Sequence, residues 1–275
     1  MKCLVINLDR SSERLTRMAF IFARIGVQFE RVEAIDGNFL SEQQREAVTR
    51  SDGIREPLTH TEVACFLSHR KAWMMIAEGA EPYGTVFEDD LVVSGNAARW
   101  LLSHDWIPAG TDAVKLETFG DRTWVDRRMI DLGDGYNLTN LRGTHWGAAA
   151  YVLSRDFARR LLEETERFSA VVDDVLFSPE EGILNQIKCY QFEPAICAQS
   201  RRFDSDYLAP SSSVDIGGLD FESFLDTTIE QSKEARVKPV GLAKLKYKFR
   251  RTAEKVARRI SGQIHRRIPF DLRVQ

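Results

Sequence analysis

The sequence predicts one large α/β domain with a largely parallel sheet, followed by a basic amphipathic helix, and three observations carry that expectation. Short apolar runs of strand type alternate with helix-type segments from residue 3 to about residue 166. A chain of 275 residues that is 43% hydrophobic and 10% aromatic has enough apolar surface to bury a full core. Positive charge is concentrated near the C-terminus: residues 238–267 hold eleven Lys or Arg against the single acid Glu254, a charge of +10 that leaves −13 for the rest of a chain whose total is −3.

Taken in order, residues 3–8 form an apolar strand candidate, and Ser11 or Ser12 caps a helix to about Arg24 that Gly26 closes. Residues 29–35 read as the next strand, ended by an Asp36-Gly37 turn. Ser41 with Gln44 makes a capping-box start for a short polar helix. Thr59 with Glu62 makes a second, opening the helix that carries Cys65, Phe66, Leu67, His69, Trp73 and Ile76. Residues 84–87 and 113–116 look like buried strands, and Ser154 caps a helix running to about Glu166. Residues 210–218, rich in Ser and Gly, are the expected boundary between a catalytic domain, residues 1–215, and a linker with its appendage, residues 216–275.

In the basic stretch, Leu242, Leu245, Phe249, Ala253, Val256, Ile260 and Ile264 recur at intervals of three and four, which places them on one face of a helix. Such a helix adsorbs to an anionic membrane surface; equally, it packs on its own domain or on a partner helix. Tyr247 and Phe249 do not supply the interleaved aromatics of a nucleic-acid footprint, so no nucleic-acid partner is expected. Cys3, Cys65, Cys189 and Cys197 have no CxxC spacing and read as buried thiols. The opening apolar run is too short for a signal core, and no apolar stretch is long enough to span a bilayer, so cytoplasmic residence is the expectation.

The chemistry concentrates where the apolar strand ending at Phe87 runs into Glu88-Asp89-Asp90. Three adjacent acids at the C-terminal end of a buried strand repel one another, and that edge of an open α/β sheet is where ligands bind. Hard oxygen ligands suit Mg²⁺ or Mn²⁺, which take further ligands from a substrate's phosphates. Strand alternation puts Glu88 and Asp90 on one side, able to share a metal shell, and Asp89 on the other. A solvated turn with capping acids is the alternative reading.

Several segments then follow a family pattern in order: Val5-Ile6-Asn7-Leu8-Asp9-Arg10-Ser11 with Glu13-Arg14, Phe29-Glu30-Arg31-Val32-Glu33-Ala34-Ile35-Asp36-Gly37, Glu62 with Cys65-Phe66-Leu67-Ser68-His69, and Phe87-Glu88-Asp89-Asp90. Gly143-Thr144 to Ala150-Tyr151-Val152-Leu153-Ser154 and Val172-Asp173-Asp174-Val175-Leu176-Phe177 continue it. Over roughly residues 1–200 the chain resembles glycosyltransferase family 25, which includes bacterial lipooligosaccharide β-galactosyltransferases and collagen galactosyltransferases. The resemblance implies a GT-A type fold with a mixed, mostly parallel sheet, a UDP-sugar donor, commonly UDP-galactose, and inversion at the anomeric carbon. It places the metal motif at Glu88 and Asp90, with Asp90 the firmest ligand. Asn7, Asp9, Arg10, Ala34, Asp36, Gly37, Ser68, His69 and Asp89 are expected around the donor, although His69 also reads as a satisfied interior histidine.

An inverting transfer needs a base for the acceptor hydroxyl, and Asp173 or Asp174 is the candidate, with helix capping by both as the alternative. His145 is a candidate further metal ligand or acceptor contact, and Trp146 either stacks on a sugar ring or fills the core. A lipid-linked acceptor at the inner face of the membrane is the natural bacterial substrate. Two other classes remain in view: a family member that binds nucleotide sugars without turnover, and a peripheral membrane scaffold built on the tail. A sugar-nucleotide pyrophosphorylase would need a Gly-rich loop after the first strand, and Asp9-Arg10-Ser11-Ser12 has no glycine.

Overall fold

The structure, a computed structural model, describes residues 1–51, 56–200 and 255–272. The first strand, β1 (Lys2–Asn7), is apolar from Cys3 to Ile6 and buried there on both faces, as suits a strand covered by helices on each side. Helix α1 (Ser12–Arg24) ends where Gly26 takes a left-handed φ of 67°, although Ser11, at its N-cap, makes no side-chain cap bond. Strand β2 (Glu30–Glu33) is followed by a 3₁₀ turn (Gly37–Phe39) that Asp36 caps by accepting from the Asn38 N–H. Both expected capping boxes form, Ser41 with Gln44 at α2 (Glu42–Val48) and Thr59 with Glu62 at α3 (His60–Ala77). The chain continues as β3 (Tyr83–Glu88), β4 (Leu91–Val93), α4 (Ala98–Leu101), β5 (Ala113–Lys115), β6 (Glu117–Thr118), β7 (Arg122–Gly133), β8 (Tyr136–Leu141), β9 (Ala150–Ser154), α5 (Arg155–Glu164), α6 (Val172–Phe177), β10 (Cys189–Glu193), β11 (Cys197–Gln199) and β12 (Gln263–Arg267).

Nine strands form one sheet in the order β12-β7-β8-β10-β5-β9-β3-β1-β2, and β4-β11-β6 form a small second sheet. The large sheet is mixed, as expected, but its parallel ladders are the minority, not the majority expected. The ladders β1·β2, β1·β3 and β5·β10 are parallel, while antiparallel ladders join the remaining neighbours and outnumber them. Helices cover both faces. Leu4 and Ile6 of β1 pack with Phe66 and Trp73 of α3, Phe157 and Leu161 of α5 and Phe177 of α6, whereas Cys3 and Val5 pack with Met18 and Phe22 of α1 and Trp100 of α4. This alternation along one strand is the period-2 signature of a sheet sandwiched between helical layers.

Two further features depart from the sequence expectation. The β7–β8 hairpin, turning at Asp134 and Gly135 with positive φ at both, was not expected, although an Asp-Gly pair between such runs is a hairpin signal. The expected tail helix is overturned at its end. Residues 255–260 are helical, but 263–267 are β12, paired antiparallel with β7, so Ile264 belongs to the sheet and not to a helix face. His265 lies tilted against Trp124 with ring centroids 4.9 Å apart, and Ile268 is wholly buried in the main core. The last described residues are therefore part of the domain; the boundary at 210–218 and residues 238–254 lie outside the described residues. Four free cysteines, three of them buried, agree with the thiol reading.

Candidate active site

The C-terminal ends of the parallel strands β1 and β3 lie side by side, with Ile6 in register with Glu88, so residues 7–11 and 88–90 share one edge of the sheet. Asn7 is buried there and organises it. Its amide nitrogen donates to Asp89 Oδ2 at 2.7 Å and to the Ser11 carbonyl at 3.0 Å, while its carbonyl oxygen Oδ1 accepts from Arg31 Nε at 3.1 Å. Arg31 also pairs with Asp9, Arg10 pairs with Asp36, and the Ala34 N–H donates to the Asn7 backbone carbonyl at 3.0 Å. Ser68 accepts from the Ile35 N–H at 2.8 Å and tethers that segment to α3. Gly37 packs so closely on α3 that a Cβ would lie 2.9 Å from the His60 carbonyl. Every residue expected at the donor thus falls on one edge of β2, β1 and β3 or on the helix covering it.

Three adjacent acids do not stand alone. β3 ends at Glu88, so strand alternation does not run through to Asp90. Asp89 accepts from Arg14 at 3.2 Å through Oδ1, and its backbone carbonyl accepts from Arg17 at 3.0 Å. Burial lowers the Arg17 pKa, and the charges of Asp90 and Asp89 oppose that shift. Glu88 turns to α3, where its Oε1 lies 3.2 Å from His69 Nε2. Two arginines of α1 and one histidine of α3 therefore relieve much of the repulsion that the triplet creates. In the sequence Arg14 entered only as part of the Glu13-Arg14 family segment, without an assigned role, and Arg17 only as one more basic residue on an amphipathic helix.

His69 is both an interior residue and a partner of the site. It is fully buried, with Nδ1 2.7 Å from the Tyr151 hydroxyl, which also accepts from Trp73 Nε1 at 2.8 Å. Burial disfavours a charged imidazole, but Tyr151, Cys65 and Glu88 outweigh it and hold the pKa well above the ordinary histidine value. Burial raises the Tyr151 pKa. Cys65, His69 and Glu88 each offer a ligand atom, all within 4.8 Å of one another. With the carboxylates of Asp89 and Asp90 next in sequence, this donor set fits a divalent cation; the imidazole and thiol at its margin also suit softer transition metals.

His145 is not in that group. It is wholly buried with Nδ1 2.8 Å from Gln191 Oε1, and because the Gln191 nitrogen donates to the Phe192 carbonyl at 2.9 Å, the oxygen must accept and Nδ1 must carry the proton. Burial and the nearby Lys115 hold its pKa well below the usual value. Trp146 is 37% exposed and so is not a core tryptophan.

Residues 145–149 are held from beneath by a buried pair with only a weak sequence signal, Lys115 and Glu117 inside an apolar run. Lys115 Nζ lies 3.2 Å from Glu117 Oε1, donates to the Trp146 carbonyl at 2.9 Å and to the Gly147 carbonyl, and sits 4.3 Å from the Phe177 ring. Glu117 accepts from the Ala149 N–H at 2.7 Å; burial raises its pKa, against the pull of Lys115. Asp173 accepts from the Gly147 N–H at 3.0 Å, and the Ala149 carbonyl accepts from the Glu88 N–H at 2.8 Å. One short stretch, 147–149, thus touches Asp173 at one end and Glu88 at the other. The N-cap position of α6 is Val171, and Asp173 and Asp174 both lie in the helix's first turn.

With this geometry in place, comparison with known proteins decides the family. Residues 1–176 match the family described as glycosyltransferase family 25 (LPS biosynthesis protein). The chain belongs to glycosyltransferase family 25. Lacto-N-neotetraose biosynthesis glycosyltransferase LgtB of Neisseria meningitidis serogroup B is 29% identical over 211 residues, covering 72% of this chain and 75% of LgtB. LgtE of the same organism is 28% identical over 232 residues, with 79% of each chain covered. Lipooligosaccharide biosynthesis protein lex-1 of Haemophilus influenzae is 28% identical over 186 residues, covering 64% of this chain and 60% of lex-1. Among solved structures, galactosyltransferase LgtC with donor and acceptor sugar analogs aligns at 13% identity and a TM-score of 0.37, over 88% of this chain and 98% of LgtC. Membership of family 25 makes the chain a glycosyltransferase. Among the described residues, no helix is long and apolar enough to cross a membrane.

Proposed function

We propose that this family 25 chain is a metal-dependent, inverting glycosyltransferase that moves a hexose, galactose in the first instance, from a UDP-sugar to a glycan or glycolipid acceptor in lipopolysaccharide or related surface-polysaccharide synthesis. The observation that carries the reading is the sheet edge at which Asn7, Asp89, Arg14, Arg17 and Glu88 interlock, beside a 147–149 segment that reaches Asp173. The relatives named for lacto-N-neotetraose and lipooligosaccharide synthesis support the substrate class.

In this reading Glu88 and Asp90 hold Mn²⁺ or Mg²⁺, which when bound neutralises charge developing on the departing diphosphate. The chain's own residues do the rest. Arg10, Arg31 and the Asp36-Gly37 turn line the nucleoside side, and Arg14 and Arg17 stand beside Asp89 where a diphosphate's charge needs cations. Asp173, steadied by the Gly147 N–H, takes the proton from the acceptor hydroxyl, with Asp174 the second candidate. His69 orients Glu88 from behind. The basic composition of residues 238–267 favours work at the inner membrane face, peripheral and cytoplasmic.

The test is hydrolysis and transfer with UDP-, GDP- and CMP-sugars, with and without Mn²⁺, on wild type and Asp90→Ala. UDP-sugar turnover that needs metal and disappears in the variant supports the assignment. A chain that binds no nucleotide sugar under any metal condition overturns it.

A further inference from the structure

A cleft of about 820 Å³ lies away from the acid triplet, where the turn before β12 meets β7 and the start of the 142–149 loop. Four arginines, Arg127, Arg128, Arg142 and Arg258, line it against one acid, Asp126. Two are fixed in place. Arg142 makes a two-pronged bond to Asp126 at 3.0 and 2.8 Å, and Arg258 donates to the Arg142 carbonyl at 2.8 Å, pairs with Glu180 at 3.4 Å and lies over the Trp124 ring at 5.6 Å, so the uncompensated charge is that of Arg127 and Arg128. Arg127 and Arg128 are exposed, and among the described residues neither makes an ion pair or a side-chain hydrogen bond. Guanidinium groups present planar donor forks that match phosphate oxygens, and a concave surplus of them suits a multiply charged anion better than a single carboxylate.

The cleft is joined to the active site by its own backbone. Arg142 lines the cleft, and Ala149, seven residues on, bonds to Glu88. Fully extended, that span reaches at most about 25 Å. Half-way along it lies the partly exposed Trp146, its backbone carbonyl pinned by Lys115. A glycan laid from the cleft past Trp146 would bring a distant hydroxyl to Asp173 and Glu88.

Building on the glycosyltransferase reading, we propose that the cleft binds a phosphate group carried by the acceptor glycan, and so selects phosphorylated acceptors and sets their register. Calorimetry on the full chain tests it with galactose 6-phosphate, galactose, inorganic phosphate and UDP, alongside sedimentation with phosphatidylglycerol vesicles. Wild type should bind galactose 6-phosphate at least tenfold tighter than galactose, more weakly in high salt, and equally well in the presence of UDP. The double variant Arg127→Glu, Arg128→Glu should lose at least tenfold in that affinity with UDP binding and Tm unchanged. Equal binding of galactose, equal binding of inorganic phosphate, displacement by UDP, persistence in the variant, or loss of vesicle binding alone would each overturn the proposal. UDP-sugar hydrolysis, measured on the same two proteins, separates the cases: turnover without hexose-phosphate binding removes only the cleft, and absent turnover removes the UDP-sugar reading on which it rests.

Discussion

Replacing Lys115 with Met keeps most of the aliphatic stem and deletes one buried charge. Glu117, wholly buried, then loses the cation beside it, and the Trp146 and Gly147 carbonyls lose the Lys115 donor. Removing one partner of a buried ion pair costs about 3–5 kcal/mol, because the other charge is left uncompensated. At roughly 2–4 °C per kcal/mol for a chain of this size, Tm should fall by about 6–20 °C. The pH dependence has a definite sign. Glu117 has a raised folded pKa, so between the unfolded carboxyl value and the folded one the native state holds a proton that the unfolded chain has released, and stability is lost as pH rises through that window. Lys115 lowers the Glu117 pKa; without it the window extends upward. The deficit of Lys115→Met should therefore be large at pH 8 and shrink toward pH 5. A double variant, Lys115→Met with Glu117→Gln, should recover part of the loss at pH 8, since its amide oxygen still accepts from the Ala149 N–H. Urea unfolding of the three proteins at both pH values decides the matter. A single-variant deficit below about 1 kcal/mol, one equal at pH 5 and pH 8, or a double variant worse than the single would refute the coupled buried pair.

Three further outcomes follow from the geometry. Thr59→Ala removes one arm of the α3 capping box and should cost about 1 kcal/mol, read as a Tm drop of a few degrees, while Ser68 and His69 at mid-helix keep their contacts. His145 has a depressed folded pKa, so below about pH 6.5 the unfolded chain takes up a proton that the native state refuses; relative to His145→Gln, wild type should lose stability as pH falls by up to about 1.4 kcal/mol per unit, and parallel stability curves for the two proteins would contradict this. Because Cys65, His69 and Glu88 gather within 4.8 Å, Zn²⁺ should inhibit metal-supported donor turnover by capturing Glu88, and Co²⁺ should give a thiolate absorption band; Cys65→Ser should lose the band and resist Zn²⁺ at least tenfold, and an unchanged inhibition curve would exclude the thiol.

The local elements and the position of the site were legible in the sequence because both depend on short-range patterns. Capping boxes at Ser41 and Thr59, the apolar run of β1 and the acids following Phe87 are set by neighbours within four residues. The ordered family motifs marked Asn7, Asp36, Ser68, His69 and Asp89 as one set, and parallel pairing of β1 with β2 and β3 brings them to one edge. Tertiary structure alone decided which charges meet. The sequence does not reveal that Arg14 and Arg17 stand against Asp89, because α1 must first pack across β1 and β3. Nor does it reveal that Glu88 turns to Cys65 and His69, or that Lys115 and Glu117 hold the 145–149 segment, since these pairings join residues far apart along the chain. Ile264 shows the same limit: its three-and-four spacing favours a helix, but the unpaired edge of β7 offers five residues a ladder of backbone hydrogen bonds, and that edge prevailed over the local period.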